Sequence, residues 1–134
     1  MRIVALHGFL GVPQDFAGLK SCLEAETESL EFYAPALFDP VATENLVESF
    51  ASWPEKFRND LKRNCPFSLE KSVVSPRILV GYSLGGRLAL DFEAHADSPF
   101  DFVFVLGAQP GFLSESERSD RLKNDHEWAA RLAN

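Results

Sequence analysis

Apolar residues along the chain follow two alternating patterns, which predict strands and helices in turn. Short, mostly apolar runs, rich in β-branched or aromatic residues, predict four strands at 3–6, 30–34, 77–81 and 100–106. Apolar residues spaced by three or four positions predict helices at 13–25, from 42 or 43 to 64, and from the third strand to about residue 95. This alternation predicts an α/β fold with a mostly parallel sheet of about four strands, flanked by helices on both faces.

Two of these segments carry a more specific expectation. Pro54 lies within the long second helical segment, so it either kinks that helix or starts a new one. The last strand, 100–106, is apolar at every position except Asp101, which is typical of a central strand in a parallel sheet. We therefore expect this strand to lie inside the sheet.

The C-terminal stretch is much more charged than the rest of the chain. Ser114 and Glu117 fit a capping box, which predicts that a helix begins here. Four larger side chains recur at three- or four-residue spacing and can share one face of that helix: Arg118, Arg121, Asp125 and Trp128. This face is either part of a functional site or a solvent-exposed surface that carries ion pairs. We divide the chain into a core, 1–112, and this second segment, 113–134.

Composition narrows the classes of partner. The chain has 134 residues, of which 46% are hydrophobic, so a single domain with a substantial core can form. Its net charge of -7 argues against nucleic acid or an anionic membrane as a binding partner, because the protein would repel either one. An anionic ligand would therefore have to be bound by a local cluster of arginines. There is no signal segment and no apolar run long enough to span a bilayer, so a cytoplasmic location is expected. Cys22 and Cys65 lack metal-ligand spacing, and no metal is expected.

Residues 81–85, Gly-Tyr-Ser-Leu-Gly, lie between an apolar strand and a helical pattern. Glycines on both sides of a serine allow a sharp turn in which strand and helix backbones pass closely. The serine hydroxyl is then exposed at the carboxyl edge of the sheet. The pattern predicts a nucleophile elbow with Ser83 as the nucleophile.

A second glycine-bracketed loop, residues 7–11, follows the first predicted strand. In an acyl-transfer site, the N–H after the nucleophile pairs with an N–H from such a loop to hold a developing oxyanion. Here those donors are predicted to be the N–H groups of Leu84 and Phe9. The alternative is that both glycine clusters are ordinary tight turns of an α/β sheet.

Three segments of the chain, 7–11, 81–90 and 109–132, together resemble the α/β-hydrolase superfamily. Within it they are most similar to the 2-succinyl-6-hydroxy-2,4-cyclohexadiene-1-carboxylate synthase family of menaquinone biosynthesis. The narrower likeness rests on Gly-Tyr-Ser-Leu-Gly-Gly-Arg at 81–87 and on the spacing of charged residues and Trp128 after Pro110-Gly111. The resemblance implies a partial α/β-hydrolase fold that ends at the start of the lid.

The family resemblance also implies an activity and a set of site residues. Its members remove pyruvate from a succinyl-enolpyruvyl cyclohexene carboxylate by a serine, histidine and aspartate relay, without a metal or organic cofactor. Ser83 would be the triad serine, with Leu84 and Phe9 as oxyanion donors. Because guanidinium groups grip carboxylates in two places, the small anionic substrate would be bound by arginines and nearby aromatic residues: Tyr82, Arg87, Arg118, Arg121 and Trp128.

The acid and the base of that relay have no clear counterpart. In this fold the order is serine, acid, histidine, with the base on a loop after a late strand. His7 lies in the oxyanion loop, His95 near the end of the elbow helix and His126 on the tail helix. We therefore expect an incomplete enzyme that is inactive alone. A short protein completed by another chain and a non-catalytic relative are the alternatives.

Three functions stay open from the sequence. They are a synthase-like lyase, another serine α/β-hydrolase such as an esterase or thioesterase, and a non-catalytic interaction module. A four-stranded remnant would also expose an apolar sheet edge. Self-association into a homo-oligomer, domain exchange or a complementing C-terminal chain is therefore expected.

Overall fold

The computed structural model describes residues 1–38, 46–47, 49–70, 75–95, 97–111 and 114–132. In these residues, four parallel strands form one sheet in the order β2-β1-β3-β4, with bounds Arg2–Leu6 for β1, Glu31–Tyr33 for β2, Arg77–Tyr82 for β3 and Phe102–Leu106 for β4. A 3₁₀ turn, Pro13–Phe16, precedes four α-helices: α1 Ala17–Glu26, α2 Trp53–Asn64, α3 Leu84–His95 and α4 Glu115–Leu132. The predicted α/β fold and its parallel four-stranded sheet are confirmed.

The sheet separates two apolar clusters because successive side chains of a strand point to opposite faces. On one face, Val4 and Leu79 pack against helices α2 and α3. There Trp53 stacks on Phe57 with ring centroids 4.6 Å apart, and the Trp53 indole donates a hydrogen bond to Leu88 O at 3.0 Å. The larger part of the core therefore lies between the sheet and these two helices.

The opposite face of the sheet is covered only in part. Ile3, Ala5 and Val80 are buried there together with Phe16, and Leu23 of α1 packs against them. Helix α1 follows β1 in the chain and lies over the β1–β2 side of the sheet. The outer strand β4 receives little of this cover.

Arg77, at the amino end of β3, is buried, and each of its three guanidinium nitrogens donates a hydrogen bond. Its guanidinium donates to both carboxylate oxygens of Asp101, at 2.7 and 3.0 Å, and to Leu69 O at 2.7 Å. The hydrogen bond to Asp101 raises the Arg77 pKa above its ordinary value. The hydrogen bonds to Asp101 and Leu69 offset the desolvation penalty of burying the guanidinium, and the bonds to Asp101 connect β3 to the start of β4.

The prediction of an interior position for the last strand was wrong. In the part of the chain that the structure describes, β4 is an edge strand bonded to β3 alone, and its Phe102, Phe104 and Leu106 are exposed. A continuous apolar run reports how hydrophobic a strand is, not whether a neighbour is present to cover it.

Helix α2 is shorter than the pattern predicted. Residues 46–47 and 49–52 are not helical, and the helix begins at Trp53 with Pro54 in its first turn. Proline lacks the N–H that an interior helical position needs, but the first turn needs none. Of the two expectations for Pro54, the start of a new helix is confirmed. Residues 42–45, also assigned to the helix, lie outside the described residues.

Helix α4 begins as its sequence indicated. The Glu117 N–H donates to Ser114 Oγ at 3.2 Å, and the Ser114 N–H donates to a Glu117 carboxylate oxygen at 3.1 Å. These reciprocal bonds are those of a capping box. The predicted boundary between residues 112 and 113 falls outside the described residues. None of the described helices is long and apolar enough to cross a membrane.

Candidate active site

Ser83 connects β3 to α3 in an unusual backbone conformation. Its φ is +52°, in the left-handed region that costs a non-glycine residue energy. Its N–H donates to Leu106 O at 2.9 Å, and its carbonyl accepts from the N–H groups of Gly86 and Arg87 at 3.1 and 3.2 Å. The end of β4 and the first turn of α3 therefore hold Ser83 in the conformation expected of a nucleophile elbow.

The glycines around Ser83 are required by close backbone contacts. A Cβ placed on Gly85 would lie 2.0 Å from Leu6 O and 2.6 Å from His7 O. A Cβ on Gly81 would lie 2.5 Å from the Gly86 Cα. Since backbone atoms cannot give way as a flexible side chain can, the start of α3 approaches the end of β1 this closely only with glycine.

The loop after β1 lies directly against the elbow. A Cβ on Gly8 would be 3.4 Å from the Ser83 Cβ. The Gly11 N–H donates to Gly8 O at 3.0 Å, which closes a tight turn around Phe9 and Leu10. The loop that carries Phe9 therefore lies beside Ser83. The roles of the Phe9 and Leu84 N–H groups as oxyanion donors stay predictions.

His7 stabilises this loop through hydrogen bonds of both its ring nitrogens. It is almost completely buried; its Nδ1 lies 2.9 Å from Gly8 O, and its Nε2 accepts the Leu37 N–H at 3.0 Å. With Nε2 as acceptor, Nδ1 must carry the proton and donate to the carbonyl. Both ring nitrogens are therefore engaged, and His7 is not available as a base for Ser83.

A cavity of about 660 Å³ lies above the elbow. It is lined by the serine and its neighbours on α3, by Phe9, by the loop after β4, and by one face of α4: Ser83, Leu84, Arg87, Gly107, Ala108, Gln109, Gly111, Arg118, Arg121, Leu122 and Asp125. Six of the eight predicted site residues thus line one cavity. The structure brings the elbow helix and the tail helix together around it.

Three guanidinium groups face this cavity against a single lining carboxylate. Arg87 lies over the ring of Phe50, with its Cζ 5.4 Å from the ring centroid, a cation–π arrangement. The Nε of Arg121 donates to Asp125 at 2.8 Å, which leaves its two terminal nitrogens for another acceptor. The cavity is consequently locally cationic in a chain that is acidic overall.

The two remaining predicted site residues, Tyr82 and Trp128, are not among the residues that line the cavity. The Tyr82 ring is exposed and lies over Gly8 and Gly107. Trp128 is also exposed, one turn beyond Asp125, and packs against Arg131 with the guanidinium carbon 5.5 Å from its ring centroid. Their predicted roles in substrate binding stay predictions.

The described residues place no base at Ser83. In them, no side chain is hydrogen-bonded to Ser83 Oγ, and no group of three metal-ligating side chains is present. His95 ends α3 and bonds back to Asp91 O at 3.0 Å, so it lies about 16 Å along the helix from the elbow. His126 is exposed on α4.

Two aromatic residues support the cavity wall and were missed in the sequence. Phe50 supports Arg87, and Phe38 contacts Phe9 edge to face with ring centroids 5.9 Å apart. Phe50 falls within the longer helix predicted up to residue 64, and Phe38 falls in no predicted helix or strand. Their partners lie far away in the chain, so no local spacing could have indicated the contacts.

Several known proteins that carry the same name are similar to this chain. The chain is 31% identical over 133 residues to the 2-succinyl-6-hydroxy-2,4-cyclohexadiene-1-carboxylate synthase of Photorhabdus laumondii, a match that covers 97% of this chain and 43% of the relative. It is 30% identical over 131 residues to the synthase of the same name from Serratia proteamaculans, covering 97% of this chain and 47% of that protein. The chain thus spans somewhat under half the length of these relatives.

A shorter match at higher identity agrees with these two. The synthase of the same name from Citrobacter koseri is 42% identical over 73 residues, covering 54% of this chain and 28% of that protein. Among solved structures, MenH from S. aureus matches with a TM-score of 0.67 and 22% identity over 90% of this chain and 42% of that one, a likeness that shows the fold. No protein-family model matches the chain.

Proposed function

We propose that this chain belongs to the α/β-hydrolase superfamily, as a relative of the 2-succinyl-6-hydroxy-2,4-cyclohexadiene-1-carboxylate synthases, and that it forms the serine and arginine side of such a synthase site in menaquinone biosynthesis. The observation that carries the proposal is the shared cavity of Ser83, Arg87 and Arg121. A serine elbow is common to many hydrolases. An elbow that faces several arginines suits a substrate with more than one carboxylate.

The arginines would supply binding and orientation. Arg87 lies one turn after Ser83 on α3, and Arg121 approaches from α4, so two guanidinium groups reach the cavity from different helices. Each can bind a planar carboxylate through two parallel hydrogen bonds. Carboxylates held at two points would fix the reacting carbon relative to Ser83, which is the positioning part of catalysis.

The N–H groups of Leu84 and Phe9 would supply electrostatic stabilisation. Loss of pyruvate from an enolpyruvyl ether needs removal of a proton from carbon, and negative charge then develops on a neighbouring oxygen. Backbone donors that are already oriented stabilise such charge without reorganising during the reaction. His7 holds the loop that carries Phe9, so it acts here as a positioning residue.

Ser83 would pass the proton on to a base. Its hydroxyl is a weak base by itself, so elimination needs a histidine and an acid behind it. The described residues do not supply these groups next to Ser83. The proposal therefore assigns this chain the nucleophile, oxyanion and carboxylate-binding parts of the site, and expects slow turnover until a base is provided.

The test is pyruvate release from the succinyl-enolpyruvyl cyclohexene carboxylate. We would measure it for the 134-residue chain and for a hybrid in which this chain replaces the matching segment of the Photorhabdus laumondii synthase. The expected result is release by the hybrid that falls about a thousandfold or more in Ser83→Ala. Ser119→Ala, an exposed serine of α4, is the matched control and should keep the rate.

Other outcomes separate the alternatives. Ester turnover with a trapped acyl-Ser83, unaffected by Arg87→Ala or Arg121→Ala, would mean an esterase or thioesterase instead. A folded hybrid that neither releases pyruvate nor turns over esters would reject the catalytic proposal. Stable binding to another protein, unchanged in Ser83→Ala, would then favour an interaction module.

A further inference from the structure

The loop after β1 contains a strained residue next to Phe9. Leu10 is the third residue of the turn in which the Gly11 N–H donates to Gly8 O, and its φ is +59°. Glycine is the usual residue where a turn needs a positive φ at this position, and leucine rarely adopts it. Such a conformation persists only where the surrounding structure fixes it. Contacts with other parts of the fold therefore keep this loop in place.

The peptide group between Gly8 and Phe9 is fixed by two hydrogen bonds. Gly8 O accepts from the Gly11 N–H at 3.0 Å and from His7 Nδ1 at 2.9 Å. This peptide bond is trans, so its C=O and its N–H point in opposite directions. The Phe9 N–H therefore points away from the His7 ring. In the described part of the chain it has no hydrogen-bond acceptor, so it is free to donate to a ligand.

The segment after β2 determines which nitrogen of His7 carries the proton. The Leu37 N–H donates to His7 Nε2 at 3.0 Å, and a neutral ring that accepts at Nε2 carries its proton on Nδ1. Leu37 is completely buried in the core between the sheet and helices α2 and α3, so its backbone is firmly placed. The tautomer that allows His7 to donate to Gly8 O thus depends on Leu37.

Phe38, the next residue of that segment, contacts the same loop through its side chain. Its ring lies edge to face with the Phe9 ring, with centroids 5.9 Å apart, and its centroid is 6.4 Å from that of the His7 ring. Phe38 also packs against the core cluster that contains Leu37. It therefore connects the packed core to both residues that flank Gly8.

We propose that Phe38 is a positioning residue for the Phe9 N–H, and that it acts together with the Leu37 N–H. This inference rests on the proposed function, in which the Phe9 N–H stabilises negative charge on the substrate. Leu37 sets the His7 tautomer, and the Phe38 ring keeps His7 and Phe9 against the core. Backbone donors stabilise developing charge because they are oriented before the reaction. Loosening Phe38 should therefore slow the chemical step and leave carboxylate binding intact.

Pyruvate release by the hybrid synthase tests the effect on catalysis. Phe38→Ala should lower kcat about tenfold, less than the roughly hundredfold or greater loss of a whole oxyanion donor, because the hydrogen bonds of His7 remain. KM should stay nearly unchanged. Phe38→Tyr keeps the ring and should restore kcat. Phe100→Ala is the matched control, since Phe100 is also half-buried against this core cluster but contacts Phe92 instead of the loop, and it should keep kcat.

Two NMR measurements on the 134-residue chain do not depend on the reaction. The nitrogen shifts of the His7 ring in the unchanged chain should show the proton on Nδ1. The Leu37 amide should exchange with solvent about tenfold faster or more in Phe38→Ala than in Phe100→Ala.

The outcomes separate this inference from the proposed function. A hybrid without pyruvate release would reject the proposed function, and the two NMR measurements would then decide on the role of Phe38. Phe38→Leu covers the case in which Phe38→Ala fails to fold, and should change kcat and Leu37 exchange in the same direction. A His7 proton on Nε2, equal Leu37 exchange in the Phe38 and Phe100 variants, or an unchanged kcat in an active hybrid would overturn the proposal.

Discussion

At the scale of single residues, the site depends on small backbone distances around Ser83. Its positive φ is kept by the hydrogen bond that its N–H donates to Leu106 O and by those that its carbonyl accepts from Gly86 and Arg87. The turn also needs the absence of a Cβ at Gly85. The glycine pattern made this sharp strand-to-helix turn predictable, because few other residues fit it. The contact of Arg87 with Phe50 was not predictable, since it joins a helix to a loop more than 30 positions away in the chain.

Gly85→Ala should disrupt the fold as well as the site. The added methyl would lie 2.0 Å from Leu6 O, so α3 or β1 must move. We expect a loss of about 3 kcal/mol or more in the free energy of unfolding, measured by urea denaturation. Gly18→Ala in α1, where a Cβ meets nothing within 4 Å, is the control and should be neutral or stabilising by about 0.5–1 kcal/mol. Equal effects of both substitutions would contradict the close packing at the elbow.

Phe50→Leu should remove the cation–π contact that positions the Arg87 guanidinium, without unfolding the chain. A partly exposed cation–π contact contributes about 0.5–1 kcal/mol, so carboxylate affinity should fall about two- to fivefold. In the active hybrid the effect should appear in KM with kcat nearly unchanged. Phe50→Tyr keeps the ring face and should restore affinity. A change in kcat alone, or no rescue by tyrosine, would show that Phe50 does not act through Arg87.

At the scale of secondary-structure elements, local signals decided some boundaries and long-range contacts decided others. The capping residues at Ser114 and the proline of α2 act within one turn, so the sequence could indicate both helix starts. The edge position of β4 and the non-helical residues 49–52 depend on which partners are present in space. Hydrophobic pattern alone does not contain that information.

Ser114→Ala should fray the start of α4. This helix is exposed along its length, so its stability depends strongly on its own cap. Loss of the reciprocal bonds with Glu117 should cost about 1 kcal/mol of helix stability and reduce the helical circular dichroism signal. Ser119→Ala, within the same helix, should leave that signal equal or higher. A signal unaffected by Ser114→Ala would mean that other contacts hold the helix.

The contact between β2 and α2 predicts a dependence on alkaline pH. The Tyr33 hydroxyl donates to Asp60 at 2.8 Å, and burial, with Asp60, raises the Tyr33 pKa well above its ordinary value. The folded state therefore favours protonated Tyr33, and this stabilisation is complete below about pH 10 and declines as the pH rises further. Tyr33→Phe should cost about 1 kcal/mol at neutral pH and flatten the alkaline decline in urea denaturation.

The comparison for Tyr33 is best made in a Cys65→Ser background. Burial raises the pKa of the Cys65 thiol as well, so this group would add its own alkaline decline. An alkaline slope that is the same with tyrosine and phenylalanine would show that Tyr33 is not responsible for it.

At the scale of the whole molecule, the described residues form a well-packed core on one face of the sheet. On the other face, side chains of the outer strand β4 are exposed. The cavity forms at the carboxyl ends of the strands, where loops and helices from distant parts of the sequence meet. Ligands commonly bind at this end of an open α/β sheet. The central claim is that the elbow helix and α4 build one carboxylate-binding site there.

The most direct test of this claim is a calorimetric titration of the 134-residue chain with 2-succinyl-6-hydroxy-2,4-cyclohexadiene-1-carboxylate. We predict one binding site whose affinity falls roughly tenfold or more in Arg87→Ala and likewise in Arg121→Ala. Arg63→Ala, an exposed arginine at the end of α2, should bind as the unchanged chain does. No binding, or the same affinity in all three variants, would contradict the claim that these arginines form one site with Ser83.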